Sequence, residues 1–195
     1  MLSIVKGPYL QRPTVNSMTI MWETSEPASS SVSVLVAERI HSGYQGNYKT
    51  PTEIRSTVSK EGYSTIHQVT VDHLNPSTIY FYQVLSENEQ GSIESSPYPF
   101  KTAVQQGEPF SFTVTSETGG YSGFDRSNGQ VNQNIFDQML KYRPDFTLFV
   151  GDVVNDGDHY EDWEMYFFGP GKDLLVSTPC YNSLGNHEKK CFAIL

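Results

Sequence analysis

Three short polar groups in the second half of the chain combine residue types that can bind a metal ion and move a proton. They are Ser116-Glu117-Thr118-Gly119, the run from Gly151-Asp152 to Asp156-Gly157, and Gly185-Asn186-His187-Glu188. Hard and borderline divalent cations take carboxylate and amide oxygens and imidazole nitrogens. One carboxylate can bridge two metals through its two oxygens, and Asp152 suits that place. Asn186 offers a neutral carbonyl oxygen. His187 can approach a leaving group as acid or as electrostatic stabiliser. Two metals ~3.5–4 Å apart would bind a phosphoryl group and steady the leaving oxygen.

These groups need elements that bring them together. Phe110-Ser111-Phe112-Thr113-Val114-Thr115 reads as a strand that ends on the first group. Phe146-Thr147-Leu148-Phe149-Val150 is a nearly all-apolar strand, as inside a sheet covered on both faces, and it ends on the second. Pro179 to Leu184 is a third strand and ends on the last group. Between them, Ile135, Phe136, Met139 and Leu140 give helical spacing from Asn132 to Tyr142, with Pro144 as the stop. Tyr160 to Phe168 is a second helix candidate. Strand, helix, strand, helix, strand implies a parallel sheet, and ligands bind beyond the carboxyl ends of such strands.

The first half has another rhythm. Met18, Ile20 and Trp22 alternate in one short run, as do Val32, Val34 and Val36. Ile66 to Leu74 and Ile79 to Val84 alternate again. Pro, Gly, Asn and Ser clusters split these runs, which predicts an antiparallel sandwich. Leu74-Asn75-Pro76-Ser77-Thr78-Ile79-Tyr80 reads as the tyrosine corner of an immunoglobulin-like sandwich, with Tyr80 favoured over Tyr82 for the corner. Ala103 to Pro109 reads as a polar linker.

Gly7-Pro8-Tyr9-Leu10-Gln11, followed by Ser17 to Glu23, resembles the opening of the fibronectin-type-III-like N-terminal domain of purple acid phosphatases. Gly151-Asp152 and Gly185-Asn186-His187-Glu188 resemble the second and third motifs of the calcineurin-like metallophosphoesterase superfamily. The 33 residues between Gly151 and Gly185 suit that family. The resemblance implies an all-β sandwich over 1–103, a linker over 104–109, and the first part of an α/β metallophosphoesterase domain over 110–195. It implies hydrolysis of phosphate monoesters or diesters by metal-bound hydroxide, with a phosphoester as substrate. It also implies two divalent ions, zinc, manganese or iron, with Asp152, Asn186 and Glu117 as metal ligands and His187 as the catalytic residue. No organic cofactor is implied. The family is commonly exported, whereas Met1 to Leu10 has no apolar signal core.

Three departures qualify the resemblance. Glu117 stands where the family has Asp, and its extra methylene would shift a metal by about a bond length unless the backbone adjusts. Asn155 stands where purple acid phosphatases carry a Tyr, which removes the main argument for iron. The later His-bearing motifs, including Gly-His-x-His, do not occur before Leu195, and Lys189 to Leu195 reads as a truncation or a shifted frame. The expected sheet therefore lacks strands and exposes an edge. At most Glu117, Asp152 and Asn186 remain for two metals, whereas one catalytic zinc takes about three protein ligands plus water. The 195-residue chain is expected to be inactive or weak. The alternative is a non-enzymatic module, with a degenerate metal domain and a sandwich that binds a protein or glycan.

Bulk composition excludes several classes. Net charge is −9, which opposes binding to a nucleic-acid backbone. No apolar run approaches the ~20 residues of a membrane span. Two cysteines, Cys180 and Cys191, make no disulfide framework, and Cys180 reads as a small buried strand residue. The acidity is concentrated, with 6 carboxylates between Asp152 and Glu164. Asp156 and Asp158 read as turn or helix-start charges, and Glu161, Asp162 and Glu164 as a solvated helix face. His159 reads as exposed. His41, His67 and His73 read as structural or surface residues. Tyr44, Tyr48, Tyr63 and Tyr121 to Phe124 are loop aromatics that could frame a binding surface.

Overall fold

The structure, a computed structural model, describes residues 1–36, 38–39, 48–49, 53–119 and 128–188. His41, Tyr44, Tyr121 to Phe124, Cys191 and the segment after Glu188 lie outside the described residues, as does the side chain of Tyr48. The chain divides into two compact units, Met1–Glu108 and Pro109–Leu195.

The first unit is a sandwich built from two long strands that each serve both sheets. Its strands are β1 (Ile4–Gln11), β2 (Met18–Val36), β3 (Glu38–Arg39), β4 (Tyr48–Lys49), β5 (Ile54–Val71), β6 (Ile79–Asn88), β7 (Gly91–Glu94) and β8 (Tyr98–Lys101). The start of β2 pairs with β1 and with the end of β5, from Met18↔Val71 to Glu23↔Ile66. The end of β2 pairs with the start of β5 and with β6, which in turn pairs with β7 and β8. The two alternating runs of β2 are thus one continuous strand. Register shifts between Glu23 and Ser30, around Pro27, let it turn from one sheet into the other. A proline inside an antiparallel strand is tolerated at such a bulge because it has no N–H to give the ladder.

The core lies between the two sheets. Leu10, Met18, Ile20, Trp22, Val69 and Val71 face Val32, Val34, Tyr80, Tyr82, Val84 and Phe100. Tyr80 is the corner residue. Its hydroxyl accepts from the Asn75 N–H at 3.0 Å, five residues upstream, and from Arg55 Nη1 at 2.9 Å. His67 is structural. It is fully buried, stacks on Trp22 with ring centres 4.7 Å apart, and bonds Thr24 Oγ1 and Ser30 Oγ through its two ring nitrogens. Trp22 Nε1 donates to Ser86 Oγ at 2.9 Å. Every polar tip in this part of the core therefore has a partner, as burial requires.

The second unit holds a parallel sheet in the order β11-β10-β9, with β9 at Phe112–Thr115, β10 at Phe146–Val150 and β11 at Cys180–Ser183. Helix α1 (Asn128–Lys141) joins β9 to β10. The connection from β10 to β11 is one helical stretch with three characters. It runs from α2 (Tyr160–Asp162) through a π-helical segment (Trp163–Phe168) into α3 (Gly169–Leu175). The helix expected over Tyr160 to Phe168 continues through Gly169-Pro170-Gly171 to Leu175. Gly169 N–H bonds back five residues to the Glu164 carbonyl, and the Tyr166 carbonyl, four residues before Pro170, accepts from Asn132 Nδ2 at 2.9 Å instead of from the proline.

Successive strands here step in one direction across the sheet. Right-handed crossovers then place both helical connections on the same face. On that face Phe149 meets Phe136 and Phe167, at 5.7 and 5.0 Å between ring centres. Cys180, Trp163, Leu174 and Leu175 are buried too. The other face carries Phe112, Val114, Phe146, Val150 and Tyr181. Phe112, Val114 and Val150 are 50, 53 and 53% exposed.

Candidate functional site

The three polar groups do meet at the carboxyl ends of the three strands, and backbone hydrogen bonds hold them together. Glu117 N–H donates to the Gly151 carbonyl at 3.2 Å, and Gly119 N–H to the Asp152 carbonyl at 3.0 Å. Thr118 is buried, and its hydroxyl donates to the Val153 carbonyl at 2.8 Å. The loop after β9 is thereby stitched to the loop after β10. Gly157 N–H donates to the His187 carbonyl at 3.0 Å, which ties the loop after β11 to the same place.

Two glycines set how closely these loops approach. Gly151 has φ +86°, a conformation L side chains rarely adopt, and a Cβ there would lie 2.9 Å from the Gly185 backbone. A Cβ on Gly185 would lie 2.1 Å from Asp152 Oδ1 and 2.5 Å from its nitrogen. Asp152 itself is left-handed at φ +53°, as is Glu117 at +52°. Asp tolerates that region better than most residues, and the loop demands it.

Asp152 is half-buried, and Oδ1 accepts from the His187 N–H at 3.0 Å. Glu117, Asn186 and His187 are exposed. His187 Nδ1 sits 2.5 Å from the Asn155 carbonyl oxygen. A carbonyl only accepts, so Nδ1 carries a proton, and in the neutral ring Nε2 holds the lone pair. Asn155 therefore contributes its backbone to the imidazole.

Two residues that sequence reasoning passed over complete the frame. Glu188 is 1% exposed, and its carboxylate takes N–H bonds from Gly185, Asp152 and Val154 at 2.7, 2.9 and 3.2 Å. The signal was present, as a charged residue closing a tight Gly-Asn-His turn. Asn132 on α1 is also buried, and its Nδ2 donates to the Thr118 carbonyl at 2.6 Å and to the Tyr166 carbonyl at 2.9 Å. It spans from the first loop to the π-helical segment, and a lone Asn inside a helix gives no such warning in sequence. Asp156 accepts from the Asp158 N–H at 3.1 Å, and Asp162 from the Asp156 N–H at 2.9 Å, so these acids are turn and cap groups.

The donor chemistry of Glu117, Asp152 and Asn186 suits a divalent ion, but the number is short. Among the described residues, no group of three or more His, Cys, Asp or Glu side chains is placed to hold a metal ion. These residues by themselves do not fit a two-metal centre. Among the described residues, no helix is long and apolar enough to cross a membrane.

Comparison with known proteins agrees with both units. Residues 8–102 match the purple acid phosphatase N-terminal domain, and residues 110–194 match the calcineurin-like phosphoesterase family. Purple acid phosphatase 21 of Arabidopsis thaliana is 27% identical over 128 residues, 65% of this chain and 25% of that protein. An acid phosphatase of Aspergillus ficuum is 34% identical over 73 residues, 37% of this chain and 12% of that protein. The chain thus spans about a quarter or less of these relatives. Among solved structures, the purple acid phosphatase PPD1 from yellow lupin (Lupinus luteus) seeds superposes with a TM-score of 0.65 at 18% identity, over 93% of this chain and 35% of that one. The structure of PhoD gives 0.58 at 11% identity, over 92% and 38%. These structural likenesses concern the fold.

Proposed function

This chain belongs to the purple-acid-phosphatase-like metallophosphoesterases, and from that premise we propose that it forms part of a metal-dependent phosphoester hydrolase. Its relatives include purple acid and acid phosphatases. The observation that carries the reading is the meeting of three strand-end loops around Asp152 and His187, with their backbones bonded to one another. When bound, divalent metals would supply charge to hold a phosphoryl group. Asp152 and Asn186 would offer oxygen donors, and Glu117 would offer another from the adjoining loop. His187, with its proton fixed on Nδ1, presents Nε2 outward to take or, once protonated, to give a proton at the leaving oxygen. The substrate class is a phosphate monoester or diester.

The activity is assigned to a protein carrying the whole phosphoesterase domain, and the 195-residue chain should bind divalent ions weakly. In the whole-domain protein, Asp152→Asn and His187→Ala should each lower kcat by ~10²-fold or more on an aryl phosphate. Near-normal turnover in both variants would sink the reading. Tight stoichiometric manganese or zinc binding by the 195-residue chain would contradict the ligand count.

A second reading rests on Glu117 in place of Asp: a non-enzymatic protein whose sandwich binds a protein or glycan. Coding sequence beyond Leu195 separates the two. His-bearing metal motifs there, in any frame, favour the enzyme, and their absence favours the binding module.

A further inference from the structure

Glu188 has no part in the chemistry above, yet it is the most deeply buried carboxylate at the site. Burying a charge is costly unless hydrogen bonds satisfy it. Here three backbone N–H groups do so, and they come from two different loops. Gly185 belongs to the loop after β11, while Asp152 and Val154 belong to the loop after β10. Charge-assisted bonds of this kind are about twice as strong as neutral ones. The carboxylate is thus a cross-brace beneath the contact of Gly151 with Gly185.

What lies above the brace is specific. Asp152 N–H is turned down toward Glu188 while the Asp152 side chain receives the His187 N–H. Val154 N–H also points to Glu188, and the next residue, Asn155, offers its carbonyl to His187 Nδ1. The two loops that Glu188 joins are therefore the two that fix the imidazole's tautomer. A free neutral imidazole favours the proton on Nε2, so the Nδ1–H form has to be held by its surroundings.

We infer that Glu188 is a positioning residue: it locks the loop of Asp152 and Asn155 to the loop of His187, so that the His187 imidazole is kept with its proton on Nδ1 and its Nε2 free. The inference rests on the functional reading for its purpose, but its test does not depend on turnover. A Gln at this position keeps the shape but replaces one acceptor oxygen with an amide that opposes the incoming N–H groups. An Asp keeps the charge and shortens the reach.

The experiment is long-range nitrogen-15 correlation of the His side chains in the 195-residue chain, at a pH where imidazoles are neutral. In the native chain His187 should be mostly the Nδ1–H form. In Glu188→Gln the ratio of Nδ1–H to Nε2–H should fall at least several-fold, while Glu188→Asp should recover part of it. His67, in the sandwich, is the internal control and should not move. A residue that only adds stability would leave the tautomer of the folded population unchanged, and that result would overturn the inference. Should Glu188→Gln fail to fold, amide exchange in the native chain decides. Asp152, Val154 and Gly185 N–H should exchange with the slowest amides of their unit, and exchange at open-loop rates would overturn it. Loss of the reading for Asp152 and His187 in turnover assays would leave both of these outcomes standing.

Discussion

The sandwich and the α/β unit solve the problem of order in opposite ways. In the sandwich, two sheets close over one core, and Trp22, Tyr82 and Phe100 are almost completely removed from water. In the α/β unit, among the described residues, helices cover one face of a three-stranded sheet, and large apolar side chains on the other face are about half exposed. Parallel sheets are ordinarily covered on both faces. The sandwich is thus ordered by apolar enclosure, while the site loops of the other unit are ordered by hydrogen bonds to Glu188, Asn132 and Thr118. Enclosure tolerates shape changes by repacking. A hydrogen-bonded loop frame does not, because each lost partner leaves a buried group unsatisfied.

The sharpest break of this contrast comes from matched truncations. Trp22→Ala and Phe149→Ala each remove a ring that is 1% exposed, and each should cost about 3–5 kcal/mol. The consequences should differ. The sandwich should remain folded but weakened, while the α/β strands, whose apolar side chains on one face are about half exposed, should lose protection outright. Peptide-resolved hydrogen exchange reads each unit separately. Retained protection in β10 of Phe149→Ala, beside a collapsed sandwich in Trp22→Ala, would reverse the comparison.

The sandwich should also carry a pH dependence of its own. Burial, with Lys60 nearby, pushes the His67 imidazole down from 6.5 to about 4. The unfolded chain then binds the extra proton first. Stability is complete above pH ~6.5 and falls as pH drops toward ~4, by about 3 kcal/mol in total. Denaturant titration at pH 7 and pH 4.5, in the native chain and in His67→Gln, checks this. The native protein should lose more than the variant, and equal losses would remove His67 as the cause.

Much of this contrast was legible in the sequence. Period-two runs gave the sandwich strands, and the all-apolar Phe146 to Val150 gave the central parallel strand, because burial periodicity is written directly in residue order. Joining the runs of β2 through Pro27 was not legible, since a bulge reads locally as a break. Helix was legible from Tyr160 to Phe168, but its continuation was not. The candidate ended at Phe168, whereas the helix runs on through Gly169-Pro170-Gly171 to Leu175, with the Gly169 N–H bonded five residues back to the Glu164 carbonyl. At the site, Asp152, Asn186 and His187 stood out by motif. The roles of Asn132 and of the Asn155 carbonyl did not, because both act across more than ten residues of chain and one of them uses only its backbone.

The glycine contact at the site sharpens the comparison further. Gly185→Ala forces a methyl group against Asp152, including its backbone nitrogen, so the two loops must separate. The expected cost is about 1–3 kcal/mol, confined to the α/β unit. It should be accompanied by faster exchange of the His187 and Asp152 amides, read by NMR. An unchanged exchange pattern would mean that the loops have room the geometry does not show.

The smallest expected effect is the most direct test of the uncovered face. Val114→Thr keeps volume, branching and strand propensity, and adds a hydroxyl on a side chain that is 53% exposed. Water can satisfy that hydroxyl, so stability should change by no more than ~0.5 kcal/mol. The same exchange at Val32, which is fully buried in the sandwich, places a hydroxyl among apolar groups and should cost about 1–3 kcal/mol. Denaturant unfolding of the two variants measures the difference between an enclosed face and an open one. If Val114→Thr costs as much as Val32→Thr, the sheet face is covered in solution. Repeating the measurement across a hundredfold range of protein concentration then separates cover by a second chain, whose effect must depend on concentration, from cover within one.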